Sequence, residues 1–154
     1  MIRWIRRAAL ACAAVALAAS PSVAQRTGTQ RAAEAAVRRV VTGFSAALQA
    51  GDTARAMSYL HPDLVVYESG AAENREHYRA HHLSADIAFL AQVRPANARD
   101  QLTVSGDMAL YLREYRMRGT WRGKAVDSPG VETLVLVNTP RGWKIRHIHW
   151  SSGD

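Results

Sequence analysis

A chain of 154 residues with 20 Lys+Arg against 13 Asp+Glu, a formal net charge of +7 and 48% hydrophobic residues is long enough to bury one core and too short for two. Its one cysteine excludes an internal disulfide framework and a multi-thiolate metal site. The phosphate-cradling G-x-G-x-x-G and P-loop patterns and the G-x-S-x-G nucleophile turn do not occur, which sets aside nucleotide-cofactor and serine-hydrolase chemistry.

Arg3, Arg6 and Arg7 precede an apolar stretch over residues 8–19 that stops short of the roughly 18 residues a membrane-spanning helix needs. With the small-x-small site Ser22-Val23-Ala24 behind it, the pattern predicts a secretory signal over residues 1–24, cleaved near Ala24, and a periplasmic or secreted product with no stable membrane insertion. Cleavage would remove Cys12, and Ala9-Leu10-Ala11 ahead of it lacks the leucine a lipidation site calls for. It would also remove three arginines, so no nucleic-acid partner is expected.

Residues 25–31 are polar and aperiodic and predict a flexible lead-in. From Ala32, Ala33, Val37, Val40, Val41, Phe44, Ala47 and Leu48 recur at three- and four-residue steps, the apolar face of a helix ending near Ala50. Gly51 stops it, and Asp52 or Thr53 caps a short second helix that Pro62 ends. Leu64–Tyr67 reads as a strand, and Asn74 as the cap of a third helix running to about Ala91. Beyond Pro95 the pattern is β, with strands at 102–104, 108–117, 131–137 and 143–150 separated by turn signals at Gly106-Asp107, Arg122-Gly123 and Pro140-Arg141-Gly142. The Met108-Leu110-Leu112 alternation is expected in the core, and Trp121 and Trp150 at a partner surface.

Helices first and antiparallel strands afterwards predict an α+β fold with helices on one face of a curved sheet. With Gly51-Asp52 ahead of HPDLVVYESG and a closing GWKIRHIHWS strand, the chain resembles the nuclear transport factor 2-like superfamily, most closely its SnoaL-like and ketosteroid-isomerase-like bacterial members, over about residues 32–152. The resemblance implies a cone in which three N-terminal helices and a mostly antiparallel sheet enclose a pocket, with a homodimer formed through the sheet.

Regular alternation along the last strand puts Trp143, Ile145, His147 and His149 on one face and Lys144, Arg146, Ile148 and Trp150 on the other. The first set is expected to face the pocket, joined by Tyr78 and His82 of the third helix, by Tyr115, and by Glu68 at the end of the first strand. Three chemistries suit these residues. His82, His147 and His149 are a donor set for zinc or copper. Glu68 and His149 form an acid–base pair for isomerase, cyclase or hydratase chemistry, with Glu114 a second carboxylate for that role. The same side chains also suit a pocket that binds a small molecule unchanged, or a scaffold whose pocket is vestigial. His61 before Pro62, and Asp63 after it, read as helix-end and turn residues. Arg113, Arg116, Arg118 and Arg122 read as a charged strand edge.

Overall fold

The computed structural model describes residues 23–153, with side chains from Thr27 onward. The expected signal, including Cys12, lies outside the described residues as far as Ser22. Helix α1 runs over Val23–Ala50, so the polar segment 25–31 forms the opening turns of this helix rather than a loose lead-in. Val37, Val41, Phe44, Ala47 and Leu48 form its buried face, as their spacing requires. Gly51 then takes a left-handed conformation with φ +72°, which a residue without Cβ adopts at little cost.

Helix α2 (Thr53–Ser58) is capped by the Asp52 side chain, which accepts from the Arg55 amide at 2.9 Å. Strand β1 (Leu60–Glu68) begins earlier than expected and contains Pro62. That is possible because β2 (Ala71–Asn74) pairs only with Val65–Glu68, leaving the Pro62 end of β1 without a neighbour on that side. Strand β2 has too little apolar content to show in the sequence.

Asn74 caps the next helix by accepting from the His77 amide at 2.9 Å. This helix is one run in three pieces, α3 (Arg75–His77), a π-helical turn (Tyr78–His82) and α4 (Leu83–Leu90). The π turn inserts one extra residue. Tyr78 and Asp86, eight positions apart, therefore behave as if about seven apart, and at about 100° per residue share a face to within roughly 20°. No described helix is long and apolar enough to cross a membrane.

Strands β3 (Val93–Ser105), β4 (Met108–Trp121), β5 (Lys124–Thr139) and β6 (Gly142–Ser152) complete a six-stranded sheet in the order β2-β1-β6-β5-β4-β3. Every pair is antiparallel except β1–β6, and all three predicted hairpin turns are present. The architecture is the expected α+β cone.

Register decides which residues look inward. One row across the sheet carries Leu60, Ile145, Leu136, Ala109 and Val104, and the next Val66, Ile148, Leu134, Tyr111 and Leu102. These pack against α1 and form the core. Met108, Leu110 and Leu112 lie on the opposite face, exposed by 56%, 40% and 37%, so the inward residues of β4 are Ala109, Tyr111, Arg113 and Tyr115.

Candidate functional site

The row after the core rows is polar. Register places Glu68, Trp150, Glu132 and Arg113 side by side on β1, β6, β5 and β4. Here the helices and the sheet separate into a cavity of about 590 Å³. The sheet supplies Glu68, Arg113, Tyr115, Met117, Ser128, Glu132 and Trp150, and the helices Phe44, Leu48, Asp86, Phe89 and Leu90. Trp121 closes one side, its ring edge-on to Phe89 at 5.4 Å.

Three carboxyls line this space. Trp150 Nε1 donates to Glu132 Oε1 at 2.7 Å, while Arg113 approaches the other oxygen only to 3.9 Å. Burial pushes the Glu132 carboxyl above the usual range, against the opposing pull of Trp150 and Arg113. Asp86 accepts from the Tyr78 hydroxyl at 2.8 Å, and its burial outweighs that bond and raises it too. Glu68 is raised first by burial and then by the nearby Asp86 charge. Tyr115, half-buried beside the same row, has its hydroxyl pushed up to about 12 by desolvation and stays protonated. Its ring lies over Gly130, where a Cβ would come within 2.4 Å of the ring.

Of the residues expected at the site, Glu68 and Tyr115 line the cavity. Tyr78 lies behind the wall, fully buried, and acts on the cavity through Asp86. Trp143 is a core residue. His147 and His149 are displaced by a β-bulge. Val135 pairs with His147 and Leu136 with Ile145, so Arg146 is an extra residue that interrupts the alternation. Beyond it Ile148 and Trp150 point inward, while His147 and His149 stand on the outer face beside Tyr67, at ring separations of 5.0 and 6.5 Å. His149 reaches the cavity lining from that strand, but its side chain belongs to the outer face, and the Glu68/His149 pair is divided by the sheet.

His82 is engaged elsewhere. Its Nδ1 meets Glu73 Oε1 at 2.5 Å, and His77 reaches the same oxygen at 3.0 Å. His82, His147 and His149 are thus not brought together, and among the described residues no group of three or more His, Cys, Asp or Glu is placed to hold a metal ion. Glu114 is exposed on the outer face. His61 Nδ1 accepts from the Asp63 amide at 3.1 Å within β1. Arg116 and Arg118 pair with Asp127 at the exposed rim, whereas Arg113 turns inward. Trp121 and Trp150, expected at a partner surface, line the cavity.

Asp86 and Glu132 were not singled out from the sequence. Glu132 did carry a signal, since it shares strand parity with Leu134 and Leu136 and is therefore a charge on the buried side. Asp86 is placed by the π turn, which no residue pattern announces.

A model of the SnoaL-like domain matches residues 37–154, and the chain belongs to that family. Among solved structures it is similar to a Shewanella frigidimarina protein named as a candidate ketosteroid isomerase, with 38% identity over 75% of this chain and 94% of that one and a TM-score of 0.71. It shares its fold with a candidate dehydratase of the nuclear transport factor 2-like family from Streptomyces avermitilis, with 19% identity over 80% and 98% of the two chains and a TM-score of 0.66. The same holds for a nuclear transport factor 2-like protein with a cystatin-like fold from Novosphingobium aromaticivorans, with 15% identity over 84% and 88% and a TM-score of 0.65. Among curated protein sequences none matches this chain.

Proposed function

We propose that this domain binds a small organic molecule in the cone cavity and holds it against the carboxyls of Glu68, Asp86 and Glu132. The observation that carries this reading is the cavity itself, about 590 Å³ with an aromatic and aliphatic wall and three convergent carboxyls. That volume and that mixture are those of small-molecule sites. Thermal-shift screening of a library of compounds of this size tests it. A ligand raises Tm by binding only the folded state, and Ser128→Trp, which fills the cavity, is expected to abolish the rise. A library that moves neither Tm nor Trp fluorescence would remove the reading.

A second reading, proton transfer on the bound molecule, is favoured by the raised carboxyls. A carboxyl held protonated nearer neutral pH can give a proton as well as take one. Glu68 and Asp86 replace the expected Glu68/His149 pair, and the reaction class stays isomerase, cyclase or hydratase. Incubation of a bound ligand in D₂O, followed by mass spectrometry, tests it: deuterium enters at carbon with the wild type and not with Glu68→Gln.

Two proposals concern setting. The basic and apolar leader is proposed to direct export to the periplasm, which cell fractionation tests. The outer sheet face, where Met108, Leu110, Leu112, Val131 and Tyr67 stay exposed, is proposed to cover itself against a second copy of the chain.

A further inference from the structure

The cavity is unbalanced in charge. Among the described residues its wall carries the carboxyls of Glu68, Asp86 and Glu132 against one guanidinium, Arg113. That guanidinium is already placed, 3.9 Å from Glu132 and 5.3 Å from the centre of the Tyr115 ring. Asp86 has a neutral hydrogen-bond partner in the Tyr78 hydroxyl, and His82, bound to Glu73, acts on it only through space.

Glu132 gives an independent sign of a missing partner. Its side chain is only 7% exposed, one oxygen accepts from Trp150, and the other, screened from solvent, has no hydrogen-bond partner among the described residues. A buried carboxylate oxygen left without a donor costs free energy, so a site that keeps one gains when a ligand brings the donor. The aromatic wall of Phe44, Phe89, Tyr115, Trp121 and Trp150 suits the apolar body of a ligand.

We propose that the cavity selects ligands with a cationic nitrogen on an apolar body, the ammonium seated over the Glu68–Trp150–Glu132 row and facing Asp86. The inference rests on the reading of the cavity as a small-molecule site and adds the chemical class of its occupant. An ammonium supplies an N–H donor to the Glu132 row and a full positive charge beside Glu68 and Asp86, which the Glu73-bound His82 reaches only through space. A carboxylate ligand would add a fourth negative group to a wall that carries one guanidinium, 3.9 Å from Glu132. A neutral alcohol could donate one hydrogen bond and leave the charge uncompensated. Because taking an ion pair out of water offsets much of its attraction, the gain is expected in discrimination more than in absolute affinity.

The test is calorimetric titration of the purified protein at pH 7 with three probes of one shape, 2-(1-naphthyl)ethylamine, 2-(1-naphthyl)ethanol and 1-naphthylacetate. The expected result is a Kd for the amine at least about tenfold below that of the alcohol, with the acetate weakest. In the Glu68→Gln/Asp86→Asn double variant, the Kd values of the amine and the alcohol are expected to agree within about twofold. Should the double variant fail to fold, Glu68→Gln alone is expected to narrow the amine's advantage. Alcohol or acetate binding as tightly as the amine, or a preference that survives the substitutions, overturns the inference and leaves the cavity reading standing. If none of the three binds, the inference is overturned, and Trp fluorescence that also fails to respond to naphthalene takes the cavity reading with it.

Discussion

The Trp150 indole N–H and the Glu132 carboxylate meet at 2.7 Å across the β5–β6 pair, which makes the indole, among the described residues, the one hydrogen-bond donor to a carboxyl only 7% exposed. Trp150→Phe keeps an aromatic ring stacked on Phe44 and removes that donor. The expected loss is roughly 1–3 kcal/mol of stability in urea unfolding at pH 7. Glu132→Gln keeps an acceptor for the indole and removes the buried charge, so its stability is expected to equal or exceed the wild type. Equal losses in the two variants would show that packing, not charge, sets the cost.

Gly130 leaves room for the Tyr115 ring, which a Cβ would meet at 2.4 Å. Gly130→Ala is therefore expected to drive the ring into the cavity. Stability should fall by roughly 1–3 kcal/mol, and the affinity of a cavity ligand by about tenfold or more, read by calorimetry. An unchanged Kd would mean the ring finds room elsewhere.

The Glu73 cluster gives a pH dependence whose sign follows from two opposed shifts. Burial pushes Glu73 up, but hydrogen bonds from His82 and His77 outweigh it and hold the carboxyl below its ordinary 4.5. His82 is raised above its ordinary 6.5, chiefly by its bond to Glu73. A raised imidazole stabilises the fold fully below its unfolded pKa and loses that contribution as pH climbs through the folded one. A lowered carboxylate contributes above its unfolded pKa and loses it as pH falls. The pair contributes most between about pH 4.5 and 6.5. A wild-type Tm that declines above pH 6.5, with a flatter limb in His82→Gln, is the expected outcome of a scanning-calorimetry series. Parallel limbs would show that the imidazole does not titrate with folding.

On the outer sheet face, Leu110→Lys/Leu112→Lys replaces two exposed apolar residues of β4 by charge. Light scattering on a sizing column is expected to show a dimer for the wild type and a monomer for this variant, with cavity affinity unchanged. A monomeric wild type removes the dimer proposal.

Much of this fold was legible because it is written in periodic residues. Val37, Val41, Phe44 and Leu48 state a helix face, Asp52 and Asn74 are caps, and Gly106-Asp107 and Arg122-Gly123 are turns. Strand faces were less legible. A strand has two sides, and the apolar residues of β4 occupy both, Ala109 and Tyr111 within and Leu110 and Leu112 without, so composition alone does not say which is buried. The site suffered most. Its expected imidazoles were placed by unbroken alternation through residues 143–150, and the bulge at Arg146 breaks that alternation. The carboxyls that do line the cavity were hidden for opposite reasons. Glu132 sat inside an apolar strand where a charge looks like noise, and Asp86 depends on the π turn at Tyr78–His82 for its bearing.

That bulge works as a frameshift does in a coding sequence. Side chains on a strand are read in twos, and Arg146 is the inserted letter, after which every later residue changes face. Losing Arg146 alone would restore a regular strand with Ile148 and Trp150 still inward, whereas losing Ile148 or His149 would turn Trp150 outward and bring Ser151 to its place in the cavity. In comparisons of related chains, a one-residue gap at this position is thus the quiet change, and an ungapped match through it pairs lining residues of one protein with surface residues of another.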